Sequence, residues 1–259
     1  PPVRIIEHAD VKRMLLAQKS YCEGALALEL YCARLVDEDH TGEPAAAQDA
    51  RLLLEVLTPI AKSWPSEWCL EANSLAIQIH GGYGYTRDFP VEQYWRDNRL
   101  NMIHEGTHGI HGLDLLGRKV LMEDGRAMQL LVERIATTVQ RSAQVPQLSS
   151  NAKALADGWQ AITDATREAW ATGQPDQALA NAVPYMQAFG HGVVAWIWLD
   201  VALATMANKA SGAPDDAARA GTMGAQQYFY QYELPKISAW LEPVRNRLMT
   251  CAHFPEESF

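Results

Sequence analysis

Apolar residues recur every three or four positions along most of this chain, and no segment keeps an alternation of period two. That periodicity predicts helices throughout and no sheet. The first stretch, 10–37, carries Leu15, Leu16, Ala25, Leu26, Leu30 and Ala33 at helical spacing, and Gly42 and Pro44 end it. A second long helix is expected over 45–80, with Pro59 and Pro65 as kinks or interruptions. The two make a natural antiparallel pair. The glycine-rich segment 81–90 cannot continue a helix, and a shorter one resumes near Val91.

Another helix is expected to start near Thr107. Residues 113–126 again have helical spacing, and the pattern runs on to Arg141 with Leu130, Leu131, Ile135 and Val139 on one stripe. Residues 145–151 predict a connection, followed by helices over 151–171, 176–210, 215–232 and 235–251, with Asp157, Thr172, Asp176 and Asp215 placed as caps or loop residues. Trp64, Trp68, Trp159, Trp170, Trp196, Trp198 and Trp240 are expected in the core or at helix interfaces. The nearly apolar 191–200 region reads as a buried helix whose apolar run is too short to span a bilayer. The expected fold is all-α: an antiparallel helical bundle over 1–122, followed by a second helical subdomain over 123–259.

Composition narrows the function. Hydrophobic residues at 48% and charged residues at 20% are those of a folded globular chain. A net charge of -9 with no clustered Lys/Arg argues against a nucleic-acid partner. No run of eighteen apolar residues and no basic-then-apolar N-terminus occur, so neither a membrane span nor secretion is expected and the cytoplasm is the default. The four scattered cysteines, Cys22, Cys32, Cys69 and Cys251, read as reduced small hydrophobes. The chain opens Pro1-Pro2 without a methionine, which suggests a piece of something longer.

Candidate chemistry is densest in His104-Glu105-Gly106-Thr107-His108. Gly106, Gly109 and Gly112 remove side chains where a backbone must turn or a neighbour must come close. The block matches the zinc motif H-E-x-x-H, which works only when both histidines lie on one helix face. Gly106 is a poor interior residue and Thr107 a better N-cap, while His111 and Asp114 stand where the longer protease pattern expects a Gly and a third His. A second reading makes Glu105 a general base whose pKa an apolar pocket would raise. Three classes stay open on these residues: a zinc hydrolase using His104, Glu105 and His108, a base-catalysed enzyme without metal, and a non-enzymatic helical interaction module.

Taken together, Gln78-Ile79-His80-Gly81-Gly82-Tyr83-Gly84-Tyr85, Pro90-Val91-Glu92-Gln93, Arg96-Asp97 and His104-Glu105-Gly106-Thr107 resemble the C-terminal part of an acyl-CoA dehydrogenase. From about Glu123 onward the chain is similar to the helical extension of larger bacterial members, including those acting on methylmercaptopropionyl-CoA. The resemblance implies that Glu105 removes the α-proton of an acyl-CoA thioester while hydride leaves the β-carbon for FAD. It also implies that Gln78, Gly81, Gly82 and Thr107 contact FAD, the first three that of a neighbouring subunit, and that His104 and Gly106 border the substrate. His104 stands where many members carry an aromatic residue. An electron-transfer flavoprotein as electron acceptor and a homo-oligomer with interfacial FAD are further implications, as is an isolated segment without activity of its own.

Overall fold

The computed structural model describes residues 2–210 and 216–259, and every regular element among them is helical. Helices α1 (Ala9–Thr41) and α2 (Pro44–His80) form a long antiparallel pair. Their register is marked by the Arg51–Asp39 ion pair near the hairpin and by the Tyr21 ring 5.2 Å from that of Trp68. α1 contributes Ala17, Tyr21, Leu28 and Leu35 to the core, and α2 contributes Leu53, Val56, Leu57, Ile60 and Trp64. Pro59 and Pro65 do not interrupt α2. Each removes one ladder hydrogen bond, but buried residues from Ala50 to Ala72 hold the middle of the helix through both prolines. Gly81, at φ +61°, ends it with a backbone that only glycine adopts readily.

The remaining helices are α3 (Val91–Asn98), α4 (His108–Gly117), α5 (Met122–Ala143), α6 (Ser149–Ala169), α7 (Pro175–Leu179), α8 (Ala182–Ala210), α9 (Asp216–Tyr228) and α10 (Lys236–Arg245). Several boundaries depart from the periodicity. The expected run from 113 to 141 breaks twice: after Gly117, where Arg118 leaves the helical region at φ -134°, and again at Glu123, Asp124 and Gly125, which all take positive φ. The expected 176–210 helix splits, with Pro184 in the first turn of α8 where its missing N–H leaves no bond unmade. α10 stops at Arg245: Arg247 turns left-handed and Leu248 N donates to Pro243 O, a Schellman closure that spacing alone does not announce. Asp157 is no cap, lying inside α6 and pairing with Lys153. α6 starts at Ser149, inside the expected connection, and the expected start at Asp215 lies outside the described residues.

α8 runs through the middle of one continuous core shared by both halves of the chain. Every residue from His191 to Leu199 is buried, as expected. The helix is longer than that apolar stretch implied: Ala182–Ala207 is long and apolar enough to cross a membrane by length and composition, yet 72% of the apolar window is buried against protein. Its neighbours are locked by indole hydrogen bonds. Trp198 Nε1 donates to Ser20 O of α1, Trp159 Nε1 to Gly192 O, and Trp196 Nε1 to Thr138 Oγ1 of α5. The seven expected core tryptophans are all buried or half-buried.

A buried polar cluster ties α1, α2 and α8 to the π-helical segment Phe229–Glu233 that follows α9. Trp64 Nε1 donates to His191 Nδ1, which leaves the His191 proton on Nε2, 3.4 Å from Glu233 Oε2. Tyr21 Oη donates to Glu233 Oε1, and Lys236 Nζ to Oε2. Burial pushes the Glu233 carboxyl up, but the bonds from His191 and Lys236 outweigh it and hold the group at about 2. Burial lowers the pKa of His191 despite its bond to Glu233.

A Cβ at Gly112 of α4 would meet Ala182 O of α8 at 2.8 Å, and backbone cannot move aside. Gly112→Ala should therefore lower unfolding stability by about 1–3 kcal/mol in urea, and an unchanged midpoint would refute the contact. His191 is held neutral in the fold but protonates near 6.5 once unfolded. Its stabilisation is complete above that value and is lost as pH falls through it. The thermal midpoint should drop between about pH 7 and pH 5, and less so in His191→Gln.

Candidate active site

After a 3-10 turn at Arg99–Met102 the chain enters a tight reversal before α4. Glu105 has φ +56° and Gly106 φ +119°. A left-handed glutamate costs about 1–2 kcal/mol, so something must hold it. His111, one turn into α4, does so. Its Nδ1 is bonded to Ser63 Oγ of α2, and its Nε2 lies 3.3 Å from the Glu105 carbonyl. Burial lowers the His111 pKa, more than the Glu105 carbonyl bond raises it. The neutral ring accepts from Ser63 and donates to Glu105. A Cβ on Gly106 would sit 2.5 Å from His111 Nε2, so this glycine is required by both backbone angle and space. Gly109, by contrast, meets nothing closer than 3.9 Å.

The turn presents the Glu105 carboxylate to an open cleft of about 340 Å³ bordered by Lys62, Pro65, Cys69, Asn101 and His104. An Asn101–Asn98–Asn73 hydrogen-bond chain ties this wall to α2. The apolar pocket expected around Glu105 is not formed by this chain. Its side chain is 64% exposed, and Lys62 Nζ lies 3.3 Å from Oε2. Arg96 pairs with Glu92 inside α3.

Nor do the two histidines of the H-E-x-x-H match share a helix face. α4 begins at His108, and His104 precedes the left-handed reversal on the exposed side. His108 is instead half-buried beside Glu67, 3.8 Å from Oε2, and burial lowers its pKa. Thr107 occupies the N-cap position of α4, but its side chain makes no capping bond and its exposed hydroxyl is left free.

Gln78, Gly81 and Gly82 lie at the far end of α2 and are exposed. From Lys62 to Gln78 the helix advances about 24 Å, so the structure does not bring these residues to Glu105 within one chain. A methyl group added at Gly81 or Gly82 would meet nothing within 4 Å. Gly82 also has no positive φ, so neither packing nor backbone angle inside this chain explains its missing side chain. Open backbone of that kind fits the approach of a pyrophosphate or a flat ring. Sequence reasoning missed Lys62, Ser63 and His111. Only His111, six residues beyond the acid, lay close enough to invite attention.

Gly106→Ala should break the His111 bond and free the turn. Amide exchange at Gly106's neighbours should then accelerate about tenfold, the equivalent of about 1.4 kcal/mol. Unchanged exchange over 104–108 would mean that the imidazole does not hold the reversal.

Comparison with known proteins gives these features a family. A family model described as acyl-CoA dehydrogenase, C-terminal domain, matches residues 3–121, and one described as acetyl-CoA dehydrogenase C-terminal like matches 131–255. The chain is 35% identical over 247 residues to 3-methylmercaptopropionyl-CoA dehydrogenase of Ruegeria pomeroyi, covering 92% of this chain and 41% of that one. It is 29% identical over 257 residues to a broad-specificity linear acyl-CoA dehydrogenase of Mycobacterium tuberculosis, covering 94% and 42%. The fold matches a Bacillus anthracis acyl-CoA dehydrogenase solved in complex with FAD, at TM-score 0.66 and 18% identity, over 90% of this chain and 41% of that one. The chain thus spans about two fifths of the length of these relatives. Helical in every regular element among the described residues and matched along both halves, it belongs to the acyl-CoA dehydrogenase family, whose C-terminal part it represents.

Proposed function

We propose that this chain is the C-terminal part of an FAD-dependent enzyme that desaturates an acyl-CoA thioester between its α and β carbons. The observation that carries the reading is the held reversal at Glu105, which brings a carboxylate to the cleft at a backbone cost. Glu105 takes the α-proton. FAD, when bound, supplies the hydride acceptor. His104 and Gly106 border the acyl thioester, and Thr107 offers its free hydroxyl to the flavin. The exposure of Glu105 and its contact with Lys62 mean that the desolvation a base needs comes from parts of the enzyme outside this chain.

The length of α2 separating Glu105 from Gln78, Gly81 and Gly82 supports two flavin surroundings served by one chain, as a homo-oligomer with interfacial FAD requires. An electron-transfer flavoprotein as acceptor and a cytoplasmic location complete the proposal. The division into modules 1–122 and 123–259 is supported by the left-handed residues 123–125 at their junction.

In the complete enzyme, Glu105→Gln should reduce turnover by about 10²–10⁴-fold while flavin absorbance is retained; a near-normal rate would exclude Glu105 as the base. Gly82→Val should leave the thermal midpoint nearly unchanged, because its surroundings are empty, yet lower the flavin retained after gel filtration. Full retention would place the flavin elsewhere.

A further inference from the structure

A second cavity, of about 460 Å³, lies between α1, α5 and α8 and shares no lining residue with the Glu105 cleft. Three donors on its walls lack acceptors or counter-ions among the described residues. The first is Tyr31 of α1. Its ring packs edge-on against Trp196, 5.0 Å between centroids, and its Oη is closed to solvent with no hydrogen-bond partner. The second is Thr138 of α5, only 4% exposed. Its Oγ1 accepts the Trp196 indole N–H at 2.9 Å, so the hydroxyl's own proton is directed elsewhere and finds no acceptor among the described residues. The third is Arg134, one turn before Thr138 on the same face of α5.

The charges around the cavity single out Arg134. Asp49 and Glu133 both pair with Arg126, and Asp200 pairs with Arg141. Arg34, whose Cζ lies 4.9 Å from the centre of the Tyr31 ring, pairs with Glu38. Every carboxylate on the wall therefore has a cation, while Arg134 has no ion-pair partner among the described residues. Burial raises the Tyr31 pKa more than Arg134 and Arg34 lower it, so the phenol keeps its proton and can donate.

Buried polar groups are rarely left without partners, and here each unmet group is a donor. The partner they lack is rich in acceptors, and the unpaired guanidinium makes it an anion. We propose that this cavity binds a phosphate group, free or carried on a small metabolite, with Tyr31 Oη, Thr138 Oγ1 and the Arg134 guanidinium as its donors. Donors arriving from two helices suit an ion with more than two oxygens, which favours phosphate over a carboxylate. Arg34 and Arg134, the charged groups acting on the sealed Tyr31 hydroxyl, are both exposed, so a ligand reaches it by displacing surface side chains rather than core.

The complete enzyme, with its flavin in place, is titrated with inorganic phosphate in a calorimeter at constant ionic strength. The expected result is saturable uptake of one ion per chain, weakened about tenfold in Arg134→Gln. Tyr31→Phe should weaken it as well, yet melt no lower than wild type without phosphate, because the hydroxyl removed had no bond to lose. Adenosine diphosphate separates the two sources. Tighter binding than phosphate, lost in Arg134→Gln, identifies a carried phosphate, and weaker binding identifies the free ion. Absence of saturable uptake, or uptake that neither variant changes, would overturn the proposal and leave the three donors to water. Equal competition by acetate would overturn the choice of phosphate. No turnover is measured, so the result is independent of the desaturation reading.

Discussion

An α-helix is a rigid ruler, and α2 sets the spacing of everything chemical in this chain. Because packing on α1, α5 and α8 keeps it helical through Pro59 and Pro65, Ser63 stands where it can bond His111, and Gln78 at the far end beside the open glycines. A bend at either proline would have moved the far end relative to the middle. The separation of the Glu105 turn from the Gln78 region follows from the length of this one element.

What could be read from the residues was what local rules determine. The period of 3.6 announced the helices, Gly42, Pro44 and Gly81 announced where α1 and α2 end, and the H-E-G-T block marked the turn. Gly106 and Thr107 spoke against the zinc motif for a reason the fold bears out, since a glycine at φ +119° and an N-cap residue cannot lie inside one helix with His104. Illegible features depended on partners distant in the chain. α2 survives its prolines through tertiary burial, which propensity does not see. Ser63 becomes the hydrogen-bond partner of His111 only after the 48-residue separation between them has folded. The left-handed run at Glu123, Asp124 and Gly125 carried only a single glycine as a signal.

The buried cluster around Glu233 shows how the two matched segments hold together without an apolar seam alone. Four polar groups, from Tyr21, His191, Lys236 and Glu233 itself, converge inside aromatic walls of Trp64, Trp68, Phe229 and Trp240. The π-helical turn at Phe229–Glu233 rotates Glu233 inward relative to a continuing α-helix, and such turns insert one residue to re-aim a side chain. Glu233 is nearly fully buried while Lys236 reaches solvent, so losing the Tyr21 or His191 bond would leave the buried carboxylate undercompensated, which couples the members of the cluster.

Gly112 has an evolutionary consequence. Its hydrogen faces the carbonyl of residue 182, a group common to all twenty amino acids. No replacement at position 182 can make room for a larger residue at 112, so the pair cannot drift by compensation. Among relatives that keep α4 against α8 this closely, position 112 should be invariant without covarying with its contact partner, a pattern that covariation methods, which depend on paired change, would overlook.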